Sequence, residues 1–272
     1  MPFPPGFPEV AKKENASLNF LRDIGRFVVP GYRETYTKAT KILAGSTYTL
    51  NMLKETFNLP DDRMVLLYEN GVSEDFFYQP RSRKKNDEKI NILFVGRLVP
   101  YKGADMVIRA IANLKIHWKK RISLIIVGDG EEKNYLQKLV KVLNLENLVQ
   151  FTGWVTWPKV LQFYKMADIF CFPSVREFGG AVVLEAMACG LPCIVVNNGG
   201  IGEYVTEETG FKIEPISRQY VIQQLAEKIE FLLENEGTRL KMSEGAISRA
   251  REFAWPNKAQ KILQLYHQVI NC

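Results

Sequence analysis

Ile90-Asn91-Ile92-Leu93-Phe94-Val95-Gly96-Arg97-Leu98-Val99-Pro100-Tyr101-Lys102-Gly103 is the stretch on which the fold turns. Its first six residues are apolar except for Asn91, as expected of a parallel strand buried on both faces. The run stops at Gly96 and enters a loop with two cations and a second glycine. Downstream the pattern recurs. Met106, Val107, Ala110, Ile111 and Leu114 have the spacing of one helix face and predict a helix over 104–118. Ile122–Val127 predicts the next strand, ending in Gly128-Asp129-Gly130, and Leu136, Leu139, Val140 and Leu143 predict a helix over 131–143. Residues 148–151 read as a strand. Thr156 is placed to cap a helix from Pro158 to Met166, since proline is tolerated in a first turn. A strand at 169–172, a helix at 181–189 stopped by Gly190 and Pro192, and strands at 193–196 and 210–213 follow. Three helices, 217–234, 237–252 and 256–270, close the chain.

This alternation predicts an α/β fold, a Rossmann-like doubly wound parallel sheet joined by right-handed crossovers. Ligands of such sheets sit beyond the carboxyl ends of the strands. Residues 96–103, 128–131, 153–156 and 174–185 are therefore the segments where a site is expected.

Working upstream, residues 1–30 mix proline, glycine and polar residues and read as loosely structured. Lys41–Ala44 predicts a short strand, with Ser46 or Thr47 capping a helix over 48–57. Met64–Leu67 predicts a second buried strand. The polar stretch 80–89, with the basic cluster at Arg81–Lys85, reads as a linker. The predicted units are an incomplete N-terminal segment (1–78), the α/β domain (79–255) and a C-terminal crossover helix (256–272). Phe76 and Phe77 read as packing between units.

Hydrophobic residues at 46% and charged residues at 24% fit a soluble globular chain. No run of about 18 apolar residues is present, and the start lacks the basic-then-apolar order of a secretory signal. The net charge of +6 suits an anionic membrane surface. No aromatic residues interleave the basic cluster, so nucleic acid is not an expected partner. Cys171, Cys189, Cys193 and Cys272 form no C-x-x-C pair and read as reduced thiols, which points to the cytoplasm. Peripheral contact with the inner membrane face belongs to the same expectation. His117 and His267 fall on helices away from the strand ends and read as surface residues.

The chemistry concentrates in two segments. In the first, Arg97 and Lys102 lie five residues apart on a loop leading to a helix, between Gly96 and Gly103. A guanidinium fork, an ammonium and a helix N-terminus suit a diphosphate. Tyr101 reads equally as a ligand contact or as packing. In the second, Glu177 and Glu185 lie eight apart, one in a loop and one inside the apolar helix AVVLEAMA. Gly179 and Gly180 can expose successive backbone N–H groups at that helix start. A carboxylate at position 185 needs a donor. Ribose hydroxyls would supply one, as would an internal arginine or backbone N–H. The string VGDGEEKN lacks G-x-G-x-x-G, so dinucleotide-dependent oxidoreduction is not supported.

The strings FVGRLVPYKG (94–103), IVGDGEE (126–132), FTGWV (151–155), FPSVREFGGAVVLEAMACGLPCIV (172–195) and FAWPNKAQKILQLYHQVI (253–270) together resemble the C-terminal domain of glycosyltransferase family 4, the group 1 glycosyltransferases of GT-B fold. KILAGSTYTLNMLKETF and YENGVSEDFF are similar to the end of that family's N-terminal domain. The resemblance implies roles. Arg97 and Lys102 would contact the donor diphosphate, and Glu185 the ribose. Glu177, with the backbone at Phe178, Gly179 and Gly180, would face the donor sugar. The amides of Gly180, Ala181, Val182 and Val183 would reach the phosphates. Gly96 would let the backbone approach, and Gly128, Trp154 and Val155 would border the base. Arg97, Lys102 and Glu177 are the expected catalytic residues. The implied donor is a UDP- or GDP-sugar, with no further cofactor and no metal. The implied reaction is sugar transfer with retention, in cell-surface glycan or glycolipid synthesis; the acceptor is not specified. The alternative is a non-catalytic nucleotide-sugar-binding or interaction module. The family's glycine-rich first loop has no counterpart here, so donor binding with weak transfer is expected. The amphipathic last helix is expected to expose an apolar stripe and to favour self-association.

Overall fold

The first strand of the large sheet, β3 (Ile90–Val95), is buried along its whole length except for half-buried Asn91. The polar intruder is satisfied near the N-terminal end of the strand. Its N–H donates to Asp168 Oδ2 at 2.7 Å, and its side-chain amide donates to the Met166 carbonyl at 2.9 Å. The computed structural model describes residues 3–13, 29–78 and 89–271. The basic cluster at 81–85, most of the predicted linker, and Cys272 lie outside the described residues.

Six parallel strands form the sheet in the order β5-β4-β3-β6-β7-β8, the additional members being β4 (Ile122–Val127), β5 (Val149–Gly153), β6 (Ile169–Phe172), β7 (Cys193–Val196) and β8 (Gly210–Ile213). Burial follows position. The four strands between the edges are almost wholly buried, whereas β5 and β8 each turn residues to solvent. The chain winds outward from β3 to β5, returns, and winds from β6 to β8. The reversal between β3 and β6 is a topological switch point, where such sheets open a crevice at the strand ends.

Helices cover the sheet. α4 (Ala104–Asn113) packs against α10 (Arg218–Glu234), and α8 (Ala181–Ala188) against α11 (Glu236–Arg251). The helix predicted over 104–118 divides. Leu114 and Lys115 are extended, and a short α5 (Ile116–Lys119) follows. Two tertiary contacts account for the break: Leu114 enters the core, and the Lys115 N–H donates to Glu230 Oε1 at 2.7 Å. α6 (Lys133–Val142) and α7 (Trp157–Met166) follow the pattern. Thr156 holds the cap position of α7 without a side-chain hydrogen bond; its carbonyl instead starts the ladder.

The upstream segment departs further from expectation. Residues 8–13 are helical (α1, Pro8–Lys13), and Phe7 and Val10 are buried in the same cluster as the large sheet, so residues 3–13 are not loosely structured; most of the rest of 1–30 lies outside the described residues. α2 (Tyr32–Lys38) precedes a two-stranded parallel sheet of β1 (Ile42–Ala44) and β2 (Met64–Leu66). Ser46 Oγ caps α3 (Thr47–Phe57) by accepting from the Thr49 N–H at 3.1 Å. β2 is not buried as expected, because this sheet has only two strands and leaves Leu43 and Leu66 exposed. Phe76 packs edge-on to Trp157 and Tyr164 inside the main core. The last helix, α12 (Trp255–Ile270), exposes Leu263, Tyr266 and Ile270 on one side, and its single buried side chain is Lys258, whose ammonium donates to the Tyr68 and Asn70 carbonyls. No described helix is long and apolar enough to cross a membrane.

Candidate functional site

The loops after β3, β4 and β5 are tied together through glycine. The Gly96 N–H donates to the Val127 carbonyl at 3.0 Å, Leu98 to Asp129 at 2.9 Å, and Gly128 to Gly153 at 3.0 Å. Gly128 has φ 133°, and a Cβ there would overlap the Gly96 carbonyl oxygen. Only glycine permits both that dihedral and that approach. Leu98, fully buried, anchors the loop. Gly128 thus lies beside the β5 end, next to half-buried Val155 and to Trp154, which is 75% exposed.

The loop after β3 meets the loop after β6 across the switch point. The Val175 N–H donates to the Tyr101 carbonyl at 2.9 Å, and a Cβ on Gly103 would come within 2.8 Å of the Pro173 carbonyl. Lys102, at the end of this turn, pairs with Glu177. Only 16% of the lysine side chain and 14% of the glutamate are exposed, so the pair is largely desolvated. The Lys102 ammonium also lies 5.1 Å from the Phe172 ring centre. Arg97 is exposed and donates from a terminal nitrogen to the Tyr101 hydroxyl at 2.6 Å. Tyr101 therefore both packs and braces a site cation. A cavity of about 290 Å³ is lined by Tyr101, Lys102, Arg176, Glu177 and Phe178.

The second lip is the start of α8. Gly180 sits at the cap position with φ 62°, and no side chain caps the helix. The first-turn amides, those of Ala181 and Val182 among them, form a ready anion site. Direct hydrogen bonds thus link all four predicted segments: 96–103 to 128–131, 128–131 to 153–156, and 96–103 to 174–185. Glu185 follows from the same helix, α8. Its hydrogen-bond partner is internal: the buried Tyr164 hydroxyl donates to Oε2 at 2.9 Å. Burial raises the Glu185 carboxyl above its ordinary value, and the Tyr164 bond opposes that rise. Burial, followed by the neighbouring Glu185 charge, pushes the Tyr164 phenol well up. Tyr164 gave no sequence signal, because a tyrosine on a helix face reads as core.

Two further contacts were not legible in the sequence. Asn70 lies against Gly179, where a Cβ would overlap its side-chain amide, and Glu69 is close by. A five-residue helix, α9 (Gly200–Tyr204), supports the glycine turn. His117 and His267 lie on α5 and α12, away from these loops. Among the described residues, no group of three or more His, Cys, Asp or Glu is placed to hold a metal. Cys171, Cys189 and Cys193 are buried thiols outside any disulfide.

The family model "Glycosyl transferases group 1" matches residues 75–249. An uncharacterized glycosyltransferase of Methanocaldococcus jannaschii is 30% identical over 247 residues, covering 86% of this chain and 61% of that protein. A D-inositol 3-phosphate glycosyltransferase of Corynebacterium glutamicum is 31% identical over 185 residues, 66% of this chain and 43% of that protein. The chain thus spans about three-fifths or less of these curated relatives. Among solved structures, the Anabaena protein Alr3699/HepE in complex with UDP and glucose superposes with TM-score 0.72 at 22% identity, covering 95% of this chain and 70% of that one. WaaG, a glycosyltransferase involved in lipopolysaccharide biosynthesis, gives TM-score 0.68 at 22% identity, covering 94% and 72%. The sheet order, the loops at its switch point and the extent of the family match together place this chain among the group 1 glycosyltransferases, with the GT-B fold.

Proposed function

We propose that this chain binds a nucleoside-diphosphate sugar at the switch-point crevice and supplies the donor half of a retaining sugar transfer to an acceptor hydroxyl. The observation that carries the reading is the Lys102–Glu177 pair across the switch point, with Tyr101 bracing Arg97 on one side and the uncapped helix start at Gly180 packed against Glu177 on the other. The relative solved with UDP and glucose supports a nucleotide-sugar ligand.

In transfer, the bond between the anomeric carbon and the phosphate oxygen breaks with its electron pair staying on the diphosphate, while the acceptor oxygen bonds to that carbon and its proton passes to the departing phosphate oxygen. Groups that stabilise this charge more in the transition state than in the ground state accelerate the step. Arg97 is free to grip two oxygens. Lys102 is already neutralised by Glu177, so its contribution is smaller than the roughly 4 kcal/mol of one unit charge at 4 Å and an effective dielectric near 20. Glu177 then faces the donor sugar, where its carboxylate can accept from sugar hydroxyls. Glu185 has one oxygen held by Tyr164 and the other for the ribose. Gly128, Trp154 and Val155 border the base. Arg97 and the α8 start supply the positive charge, with a smaller share from the paired Lys102, so on this reading donor binding proceeds without a divalent metal.

A thermal-shift series with UDP, GDP, ADP and their sugars tests this. A nucleoside diphosphate should raise the melting temperature, equally with and without EDTA. Arg97→Ala combined with Lys102→Ala should abolish the rise. If no nucleotide stabilises the unmodified chain, the site assignment fails.

A further inference from the structure

The short helix α9 physically joins the donor turn to the start of α3. At its front, the Gly200 N–H donates to the Phe178 carbonyl at 3.1 Å. Fully buried Ile201 presses on Gly180 so closely that a Cβ there would overlap its Cγ2. At its rear, Arg249 clamps the last turn, donating from Nη2 to the Glu203 carbonyl at 3.2 Å and from Nε to the Tyr204 carbonyl at 3.3 Å. A cation at a helix C-terminus satisfies open carbonyls and complements the dipole. Tyr204 is fully buried, edge-on to Phe253 and Tyr68. α9 is therefore held rigidly at both ends.

From this held helix the Glu203 carboxylate reaches a residue 156 positions away. Oε1 accepts from the Thr47 N–H at 3.0 Å, and Oε2 accepts from the Thr47 hydroxyl at 2.7 Å. Thr47 opens α3, and the Thr49 N–H of the same first turn is taken by Ser46. An anion at a helix N-terminus is electrostatically favoured, so this bridge is directional. A cleft of about 460 Å³ is lined by Ser46, Tyr48 and Thr49 of the same helix start together with Phe178 of the donor turn.

We propose that Glu203 is a positioning residue: it ties the Phe178–Gly180 turn to the Thr47 helix start, so that donor occupancy and order at that helix start are coupled. The inference rests on the donor reading above. Because coupling between two sites is reciprocal, it has two readouts. In the unmodified chain, UDP should slow amide hydrogen exchange over Thr47–Leu50. In Glu203→Ala that slowing should vanish, and the UDP dissociation constant should rise by about fivefold or more, the low end of typical couplings. Glu203→Gln retains two polar groups in the same place and should keep most of the effect. Thr47→Val removes only the hydroxyl and should reduce it partially, which serves if the alanine variant does not fold.

A role limited to capping α3 would speed exchange in the ligand-free variant but leave the UDP response intact; that result overturns the proposal. UDP binding by the unmodified chain with no change at Thr47–Leu50 also overturns it, while leaving the donor site standing. Absence of UDP binding altogether removes both.

Discussion

Tyr164→Phe isolates the energetics of the buried glutamate. The substitution deletes one oxygen and leaves the ring packing with Phe76 and Phe170 in place. What is lost is the donor to Glu185 Oε2, 2.9 Å away. Burial holds the Glu185 carboxyl above its ordinary value of 4.5, and the tyrosine bond restrains that rise, so its loss lifts the carboxyl further. The sign follows from proton linkage. A folded-state carboxyl raised above its unfolded value binds its proton more tightly in the native state. Stability is then lost as pH climbs from the unfolded value through the folded one, and the loss is complete above it. The variant extends that window upward. Towards pH 4, below the ordinary carboxyl value and further below the raised one, the neutral form predominates and the variant loses an ordinary hydrogen bond, about 0.5–1.5 kcal/mol. Towards pH 8 the ionised form gains weight, and the bond lost to it is charge-assisted, about 1.5–3 kcal/mol. At roughly 2–4 °C per kcal/mol for a domain of this size, the melting temperature should fall by about 1–6 °C at pH 4 and about 3–12 °C at pH 8. Melts of both proteins at the two pH values measure this. In a Glu185→Gln background the pH dependence of the gap should disappear. An equal loss at both pH values, or a larger one at pH 4, refutes the reasoning.

Two other substitutions probe the scaffold. Gly128→Ala combines a strained positive φ with overlap on the Gly96 carbonyl. It should destabilise by about 2–6 kcal/mol, summing typical backbone strain and overpacking, and should weaken the nucleotide-induced shift. Gly237→Ala, which meets open space in a helix, should instead raise stability by about 0.5–1 kcal/mol; the pair of melts is the check. Arg218→Ala removes the ion-pair partner of Asp105, whose side chain is 1% exposed. Stranding a buried carboxylate destabilises by about 3–5 kcal/mol, and the lower end is expected here because the Arg109 Nε remains 3.9 Å away. Adding Asp105→Asn should recover more than half of the loss in urea denaturation; no recovery would mean that Arg218 acts through packing rather than charge.

The strands β3, β4, β6 and β7 were legible because a strand buried on both faces admits almost no polar residue, so composition alone marks it. The loop glycines were legible for the same local reason: a strand that stops at Gly96 or Gly128 announces a close backbone approach. Those signals picked out the two segments, 96–103 and 174–185, whose Lys102 and Glu177 meet across the switch point. Only tertiary structure decided the rest. The Lys102–Glu177 pair spans 75 positions, Tyr164 reaches Glu185 from another helix, and Glu203 meets Thr47 across 156. Likewise, nothing in residues 104–118 marks the break at Leu114, which a glutamate on α10 helps to set. Periodicity reports which face of an element is apolar; it carries no information about which distant polar group that face will meet. That pairing is settled when the sheet reverses direction at β3 and β6 and brings loops far apart in sequence to one edge.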